Sequence, residues 1–304
     1  MSEDKLIEIF CSVDDFCSEF MPVFESHLLA VPGSRKRKRS LEMSELMSIV
    51  IFFHQGRFRN FKHYYTHFVS VYLKSYFPGL PSYSRLIQWM PHLLVPLLAY
   101  LNDNCLGKPT GVQYIDSCPL VVCHNRRIHQ HKTFAGIAKR GKTSVGWFFG
   151  FKLHLIINDL GQIVSFMISP GNVSDKNRKL VVKLSRGLWG KLFGDKGYVS
   201  QPLAEQLHNF GIELIYKPKK NMKKPKVIPL YDRLKLAQRG VIECTIDQLK
   251  NQAYVEHSRH RSFGGFLINV LSAICSYAFD DKHPKPRFQF PFLVEIDPKY
   301  LLAA

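Results

Sequence analysis

Residues 111–123 read Gly-Val-Gln-Tyr-Ile-Asp-Ser-Cys-Pro-Leu-Val-Val-Cys, an apolar run with one carboxylate, Asp116, inside it. Its Val, Ile and Tyr content predicts a strand. Two more strand-like runs follow, residues 147–158 (WFFGFKLHLIIN) and 163–169 (IVSFMIS), separated by an Asp159-Leu160-Gly161 turn. The segment between the first two, residues 124–146, reads as a polar loop rich in His, Arg and Lys. Residues 170–179 (PGNVSDKNRK) lead into a helix, with Ser174 or Asp175 as the expected cap. A short fourth strand, 189–193, ends at Gly194-Asp195-Lys196-Gly197-Tyr198. A helix over 202–210 and a fifth strand over 212–217 come next, then helices over 239–253 and 263–279.

Three strands in a row, then strands and helices in alternation, match the element order of a ribonuclease H-like fold. Its first three strands form an antiparallel meander and the later ones join through crossover helices. The expected class is therefore α/β, a mixed five-stranded sheet with flanking helices, preceded by an all-α N-terminal region. In such a sheet Asp116 and Asp195 can sit side by side, with a later helix laying its own carboxylate across both.

Upstream, Leu6, Ile7, Phe10 and Val13 fall at roughly helical spacing until Pro32 and Gly33 break the pattern. The basic run 35–39, Arg35-Lys36-Arg37-Lys38-Arg39, fits either a phosphate-contacting arm or a solvated turn. Ser40 is the expected cap of a helix containing Leu46, Ile49, Val50 and Phe53. Residues 56–77 interleave aromatics with cations, which suits a DNA-binding helix and equally a core face opposite a wet one. Gly107, Pro109 and Gly111 mark a linker. The expected organisation is thus a helical DNA-end-binding region (1–110), a catalytic domain (111–280) and an extended tail (281–304).

The chain carries 304 residues, 46% hydrophobic and 22% charged, which is ordinary for a globular protein. No apolar run reaches the length of a membrane span, and the acidic opening (Asp4, Glu8, Asp14, Asp15) lacks the basic start of a signal peptide. Seven cysteines without paired CxxC spacing predict reduced thiols and a cytosolic setting. The net charge is +18 and uneven: residues 1–115 hold 12 Lys/Arg against 10 Asp/Glu, the remainder 30 against 14. So large an excess favours a polyanion, most simply nucleic acid. No basic amphipathic helix supports a membrane surface instead.

On a helix, Arg239, Glu243, Asp247 and Lys250 form one stripe, and Ile242, Ile246, Leu249 and Ala253 a neighbouring one. Taken alone, such charges are usually solubilising pairs. With Asp116 and Asp195, Glu243 completes a set of three carboxylates without sulfur ligands. That set suits magnesium, which prefers oxygen, and two ions about 3.5–4 Å apart clamp both oxygens of a phosphoryl displacement. Gly194 and Gly197 would let a phosphate backbone approach Asp195.

From residue 111 to about 277 the chain resembles the DDE transposases of insertion sequences, most closely the IS982 family. The matching pieces are Ile115-Asp116-Ser117, Gly171-Asn172-Val173-Ser174-Asp175, Gly194-Asp195-Lys196-Gly197-Tyr198, and Arg239…Glu243…Lys250. Phe61-Lys62 and Ser82-Tyr83-Ser84-Arg85 extend the resemblance upstream; Leu236 stands where a Tyr is often found. The resemblance implies catalytic, metal-holding roles for Asp116, Asp195 and Glu243, with two Mg²⁺ ions, Mn²⁺ substituting. It also implies double-stranded DNA as substrate, at terminal inverted repeats and target. A homodimer or higher assembly, and a bacterial, cytoplasmic, nucleoid-associated setting, go with it. Arg239, Lys250, Arg126, Arg127, Lys152 and Lys196, with Arg35, Lys36 and Arg37, are the cations expected to meet DNA.

Competing readings remain at several positions. Cys118, Cys123, His124, His129 and His131 offer soft zinc ligands, although their spacing is not a paired knuckle. Lys152 and His154 share a strand face, either lining the site or forming a satisfied polar pair. Asp175 and Asp247 compete for the carboxylate roles. A structure-selective nuclease would use the same carboxylates without joining ends, and a transposase-derived repressor would need none of them. Terminal inverted repeats beside the gene separate transposase from both.

Overall fold

The computed structural model describes residues 3–27, 39–217, 227–256 and 260–286. The chain divides into two compact units whose limits do not follow chain order. One comprises Met1–Cys105, Lys132–Phe134 and Gln248–Asp280; the other comprises Leu106–His131, Ala135–Asp247 and Asp281–Ala304.

The first unit is helical. In α1 (Glu3–His27) the buried residues Leu6, Ile9, Val13 and Cys17 make one stripe. α2 (Met43–Gln55) is buried over most of its circumference. It starts at Glu42, not at the expected Ser40. Glu42 and Glu45 form a reciprocal capping box, while Ser40 donates its hydroxyl to the Gly79 carbonyl at 2.6 Å. The aromatic-basic segment folds as α3 (Phe61–His63), a π-helical turn (Tyr64–Val69) and α4 (Ser70–Tyr72). Its rings pack inward: the Phe53 centroid lies 5.2 Å from that of Phe61 and 5.3 Å from that of Tyr64. α5 (Tyr83–Trp89), capped by Ser82, and α6 (Leu94–Tyr100) complete the N-terminal part. The helix Phe263–Ala278 supplies a nearly continuous buried apolar surface.

His54, at the end of α2, fastens this unit. Its Nδ1 donates to the Ala253 carbonyl at 2.5 Å, and its Nε2 lies 2.9 Å from the Ser272 hydroxyl.

The second unit is built on a six-stranded sheet. Its strands are β1 (Val112–Cys123), β2 (Lys139–Lys142), β3 (Trp147–Asn158), β4 (Ile163–Pro170), β5 (Gly190–Gly194) and β6 (Ile212–Tyr216). β3 pairs antiparallel with β1 along one side and with β2, then β4, along the other. β1 pairs parallel with β5, and β5 with β6. Without β2, this is the expected ribonuclease H-like order. β2 lies in the segment expected to be a loop: its Lys139-Arg140-Gly141-Lys142 sequence has no strand signature and is held by pairing to Trp147–Gly150. Gly150 has φ +159, and a Cβ there would come within 2.1 Å of the Leu120 carbonyl oxygen, so only glycine fits this crossing of β1 and β3.

Four helices flank the sheet: α7 (Arg178–Leu184), α8 (Gln201–His208), α9 (Leu230–Ala237) and α10 (Gly240–Asp247). Leu180, Val181 and Leu184 of α7, with Leu203 and Leu207 of α8, pack on Ile115, Ile156, Leu192 and Leu214 from one sheet face. All seven cysteines are free. Among the described residues, no helix is long and apolar enough to cross a membrane.

Because His54 joins two parts of the first unit that are 199 and 218 residues apart in sequence, His54→Ala should lower its stability by about 2–4 kcal/mol, from lost hydrogen bonds and a new cavity. Chemical denaturation followed by tyrosine and tryptophan fluorescence reads this out, and an unchanged midpoint would contradict it.

Candidate active site

The parallel pairing of β1 with β5 runs Val112 to Lys191, Gln113 to Leu192 and Tyr114 to Phe193. Two residues beyond the last pair, on both strands, come Asp116 and Asp195. Side chains alternate along a strand, so this equal offset puts both carboxylates on the sheet face that carries Tyr114 and Phe193. Asp195 keeps an extended backbone (φ −78, ψ −178) and caps the 3₁₀ turn Lys196–Tyr198, its Oδ1 accepting from the Gly197 N–H at 2.7 Å. A Cβ on Gly197 would lie 2.8 Å from that oxygen. This glycine therefore serves the aspartate's own turn.

α10 packs against β1 and brings the third carboxylate. Arg239, one turn before Glu243, donates from Nη1 to Asp116 Oδ2 at 2.8 Å and from Nη2 to Glu243 Oε1. The other Asp116 oxygen accepts from the Ser117 N–H at 2.8 Å. Burial pushes the Asp116 carboxyl above its ordinary value; the Ser117 N–H and Arg239 work against that rise, and Asp195 adds to it. Arg239 is the mirror image: burial opposes its charge, but Asp116, Glu243 and Asp195 hold it more firmly protonated than usual. The Tyr198 hydroxyl is buried without a hydrogen-bond partner among the described residues. Burial, and then Asp116, Asp175 and Asp195, hold it strongly protonated.

Residues 106–263, which carry Asp116, Asp195, Arg239 and Glu243, match the family model described as the transposase DDE domain. The chain belongs to this family. It is an enzyme acting on DNA. A solved structure titled "Cryo-EM structure of piggyBac transposase synaptic complex with hairpin DNA" is similar over 89% of this chain and 71% of that one, with 12% identity and a TM-score of 0.48. A search of curated proteins gave no match.

The other sequence-predicted residues of this transposase are scattered. Arg126 and Arg127 are exposed on the 3₁₀ helix Asn125–Gln130, and Lys196 is exposed beside Asp195. Lys250 belongs to the first unit, where it pairs with Glu256 at 2.6 Å. Arg35, Lys36 and Arg37 lie outside the described residues. Among the described residues no three His, Cys, Asp or Glu side chains gather as ready metal ligands, neither around Cys118–His131 nor at the carboxylates.

Lys152 is only 7% exposed, which leaves it little surface to offer DNA. With His154 it lies on the Ser117 face, since His154 pairs with Ser117 in the β1–β3 register. The Lys152 ammonium donates to Asp175 Oδ1 at 2.9 Å, and the Ser117 hydroxyl donates to the same oxygen at 2.6 Å. His154 Nε2 lies 2.8 Å from the Ser169 hydroxyl. The polar-pair reading of Lys152 and His154 is the one the geometry matches. Asp175 is not the cap of α7; Asn177 is, accepting from the Leu180 N–H. Asp175 instead connects to Asp116 through Ser117, a role that proximity to Asn177 in sequence concealed.

Asp175→Ala would leave the buried Lys152 ammonium unpaired and should cost about 1–3 kcal/mol. Adding Lys152→Met should recover most of that loss, and a double-mutant cycle in denaturant measures the coupling. Burial lowers the pKa of His154 to about 4, with Asp175 opposing and Lys152 assisting. The unfolded chain takes up this proton near pH 6.5 and the folded one only near pH 4, so stability falls as pH drops through that window. His154→Gln should remove on the order of 3 kcal/mol from the pH dependence between those limits; identical slopes for both proteins would refute the assignment.

Proposed function

We propose that the chain is a transposase of the IS982 type, cutting DNA at the terminal inverted repeats of its element and joining the freed ends to target DNA. The supporting observation is the constellation itself. Asp116 and Asp195 stand at equal offsets on paired parallel strands, and Glu243 is tied to Asp116 through one guanidinium. All lie within the segment that matches the DDE domain.

The donor chemistry fits a divalent cation. Three carboxylates supply hard oxygens, and Asp116 is destabilised as an anion by burial and by Asp195, a penalty a nearby cation relieves. Arg239 now supplies that positive charge. Asp116, Asp195 and Glu243 would hold Mg²⁺, two ions in the full site, with Mn²⁺ as substitute. Bound there, the ions would act as Lewis acids on the phosphodiester and acidify a coordinated water. The protein's own contribution is positioning: the sheet fixes Asp116 and Asp195, and Arg239 sets the reach of Glu243. Lys196, exposed next to Asp195, is placed to meet a phosphate of the cleaved strand. The same carboxylates would serve hydrolysis, which leaves a 3′-hydroxyl, and the attack of that hydroxyl on target DNA. No covalent protein–DNA intermediate is needed. Arg126, Arg127 and the excess positive charge hold the duplex. Two ends must meet for joining, so the active form is a dimer or higher assembly on DNA, in the cytoplasm at the nucleoid.

The test is a supercoiled plasmid carrying the gene's own flanking ends, incubated with the protein in Mg²⁺, Mn²⁺ or Ca²⁺. Cleavage at the element boundary is expected in Mg²⁺ and Mn²⁺, falling by about 10³-fold or more in Asp195→Ala. Arg239→Gln should reduce it by about 10- to 100-fold, as expected for a residue that orients ligands. Binding without cutting in every metal would favour a repressor instead.

A further inference from the structure

The helical unit contains a cleft of about 680 Å³ that the proposed chemistry does not use. Phe53 and Phe61 line one wall, and Tyr83, Ile87 and Met90 line another. Gly265 and Ile268, from the first turns of the Phe263–Ala278 helix, line a third side. These surfaces are apolar or aromatic, and Ile87 is 40% exposed within them. The mouth is cationic. Lys62 and Arg261 are both exposed and flank Tyr83: the Lys62 ammonium lies 5.9 Å from the Tyr83 ring centroid, and the Arg261 charge opposes the burial that raises the Tyr83 pKa. Among the described residues neither cation has a carboxylate partner and no acidic side chain lines the cleft. The Phe263–Ala278 helix also begins here. The Ser262 hydroxyl takes the Gly265 N–H and its carbonyl the Phe266 N–H, and the space beside the Gly264 Cα is open to 4 Å, so the partial positive charge of the helix start faces an approachable surface.

An aromatic slot with an uncompensated cationic mouth selects a ligand that is planar at one end and anionic at the other. That is a nucleotide. The volume falls in the range of small-molecule sites and excludes a duplex, whose bases are already stacked on one another. A nucleotide that has left its stack exposes the base face such a slot receives. Resting on the DNA-directed reading above, we infer that this cleft takes one unpaired nucleotide of the bound DNA, its phosphate at Lys62 and Arg261 and its base between Tyr83 and Phe61. Asn60 and Ser84, also lining the cleft, offer polar groups to the edge of the base. The helical unit thereby reads a structural state of DNA, a strand locally unpaired, in addition to its charge.

The experiment uses the full chain and fluorescein-labelled duplexes of the element's end sequence. One is blunt and one carries a single unpaired thymidine; fluorescence anisotropy is read in Ca²⁺. The wild-type protein should bind the overhang duplex about 10-fold more tightly, the scale of one base stacked on an aromatic side chain. Ile87→Trp, which fills the cleft from an exposed position, should bring the two affinities within about 2-fold. Lys62→Gln with Arg261→Gln, on exposed positions that folding does not require, should do the same. Equal wild-type affinities, or a preference that survives in both variants, would overturn the inference. Displacement of the overhang duplex by an equimolar amount of free thymidine monophosphate would overturn the assignment to a nucleotide within a strand. Equal affinities alongside intact plasmid cleavage remove the cleft alone; no binding to either duplex removes the functional reading as well.

Discussion

One guanidinium reconciles the charges on which the candidate site depends. Asp116 is half-shielded from water on a central strand, with a second carboxylate on the neighbouring strand. Burial and that neighbour both favour the neutral acid. Arg239 works against both by bonding Asp116 and Glu243 at once, and its fork of donors does this in a way a lysine's point charge does not. A surface Arg–Glu pair one helical turn apart contributes a few tenths of a kcal/mol. The same pair extended onto a buried aspartate is a different object, because losing the arginine would strand a carboxylate in low dielectric.

The sheet makes that arrangement possible by register. Equal offsets from the Tyr114–Phe193 pair bring Asp116 and Asp195 to one face, while Ser117 turns to the other and bonds Asp175. Consecutive residues of β1 thus belong to two polar systems on opposite faces: the Asp116–Arg239–Glu243 set, and the part-buried Lys152–Asp175–Ser117 set. The Ser117 peptide links them, since its N–H holds Asp116 while its hydroxyl holds Asp175.

Strand order, the carboxylate pair and the helix carrying Glu243 were legible because each has a local signature: β-branched runs, a turn after Asp195, a 3.6-residue stripe. What escaped has none. β2 is four polar residues made a strand only by its partner. Lys152 looks like a DNA-facing cation in an alternating strand, and nothing local announces that Asp175, 23 residues away, neutralises it. The cap at Glu42 competes with a better capping residue, Ser40, that is engaged with Gly79 instead. The grouping of Gln248–Asp280 with the N-terminal helices includes the bonds of His54 to Ala253 and Ser272, contacts across some 200 residues that no window of sequence contains.

The same physics sets a condition on the site's chemistry. A cation that enters between Asp116 and Glu243 competes with Arg239 for the same lone pairs, so binding an ion and keeping the guanidinium clamp are alternatives at those oxygens. Asp195 is not so engaged: its Oδ1 takes a backbone N–H, which leaves its other oxygen uncommitted to Arg239. Of the three carboxylates that would hold a divalent cation, Glu243 is the one whose exposed side chain would be freest to adjust. Arg239 thus offsets the mutual repulsion of Asp116, Asp195 and Glu243, the service that a cation held by the same three carboxylates would otherwise perform.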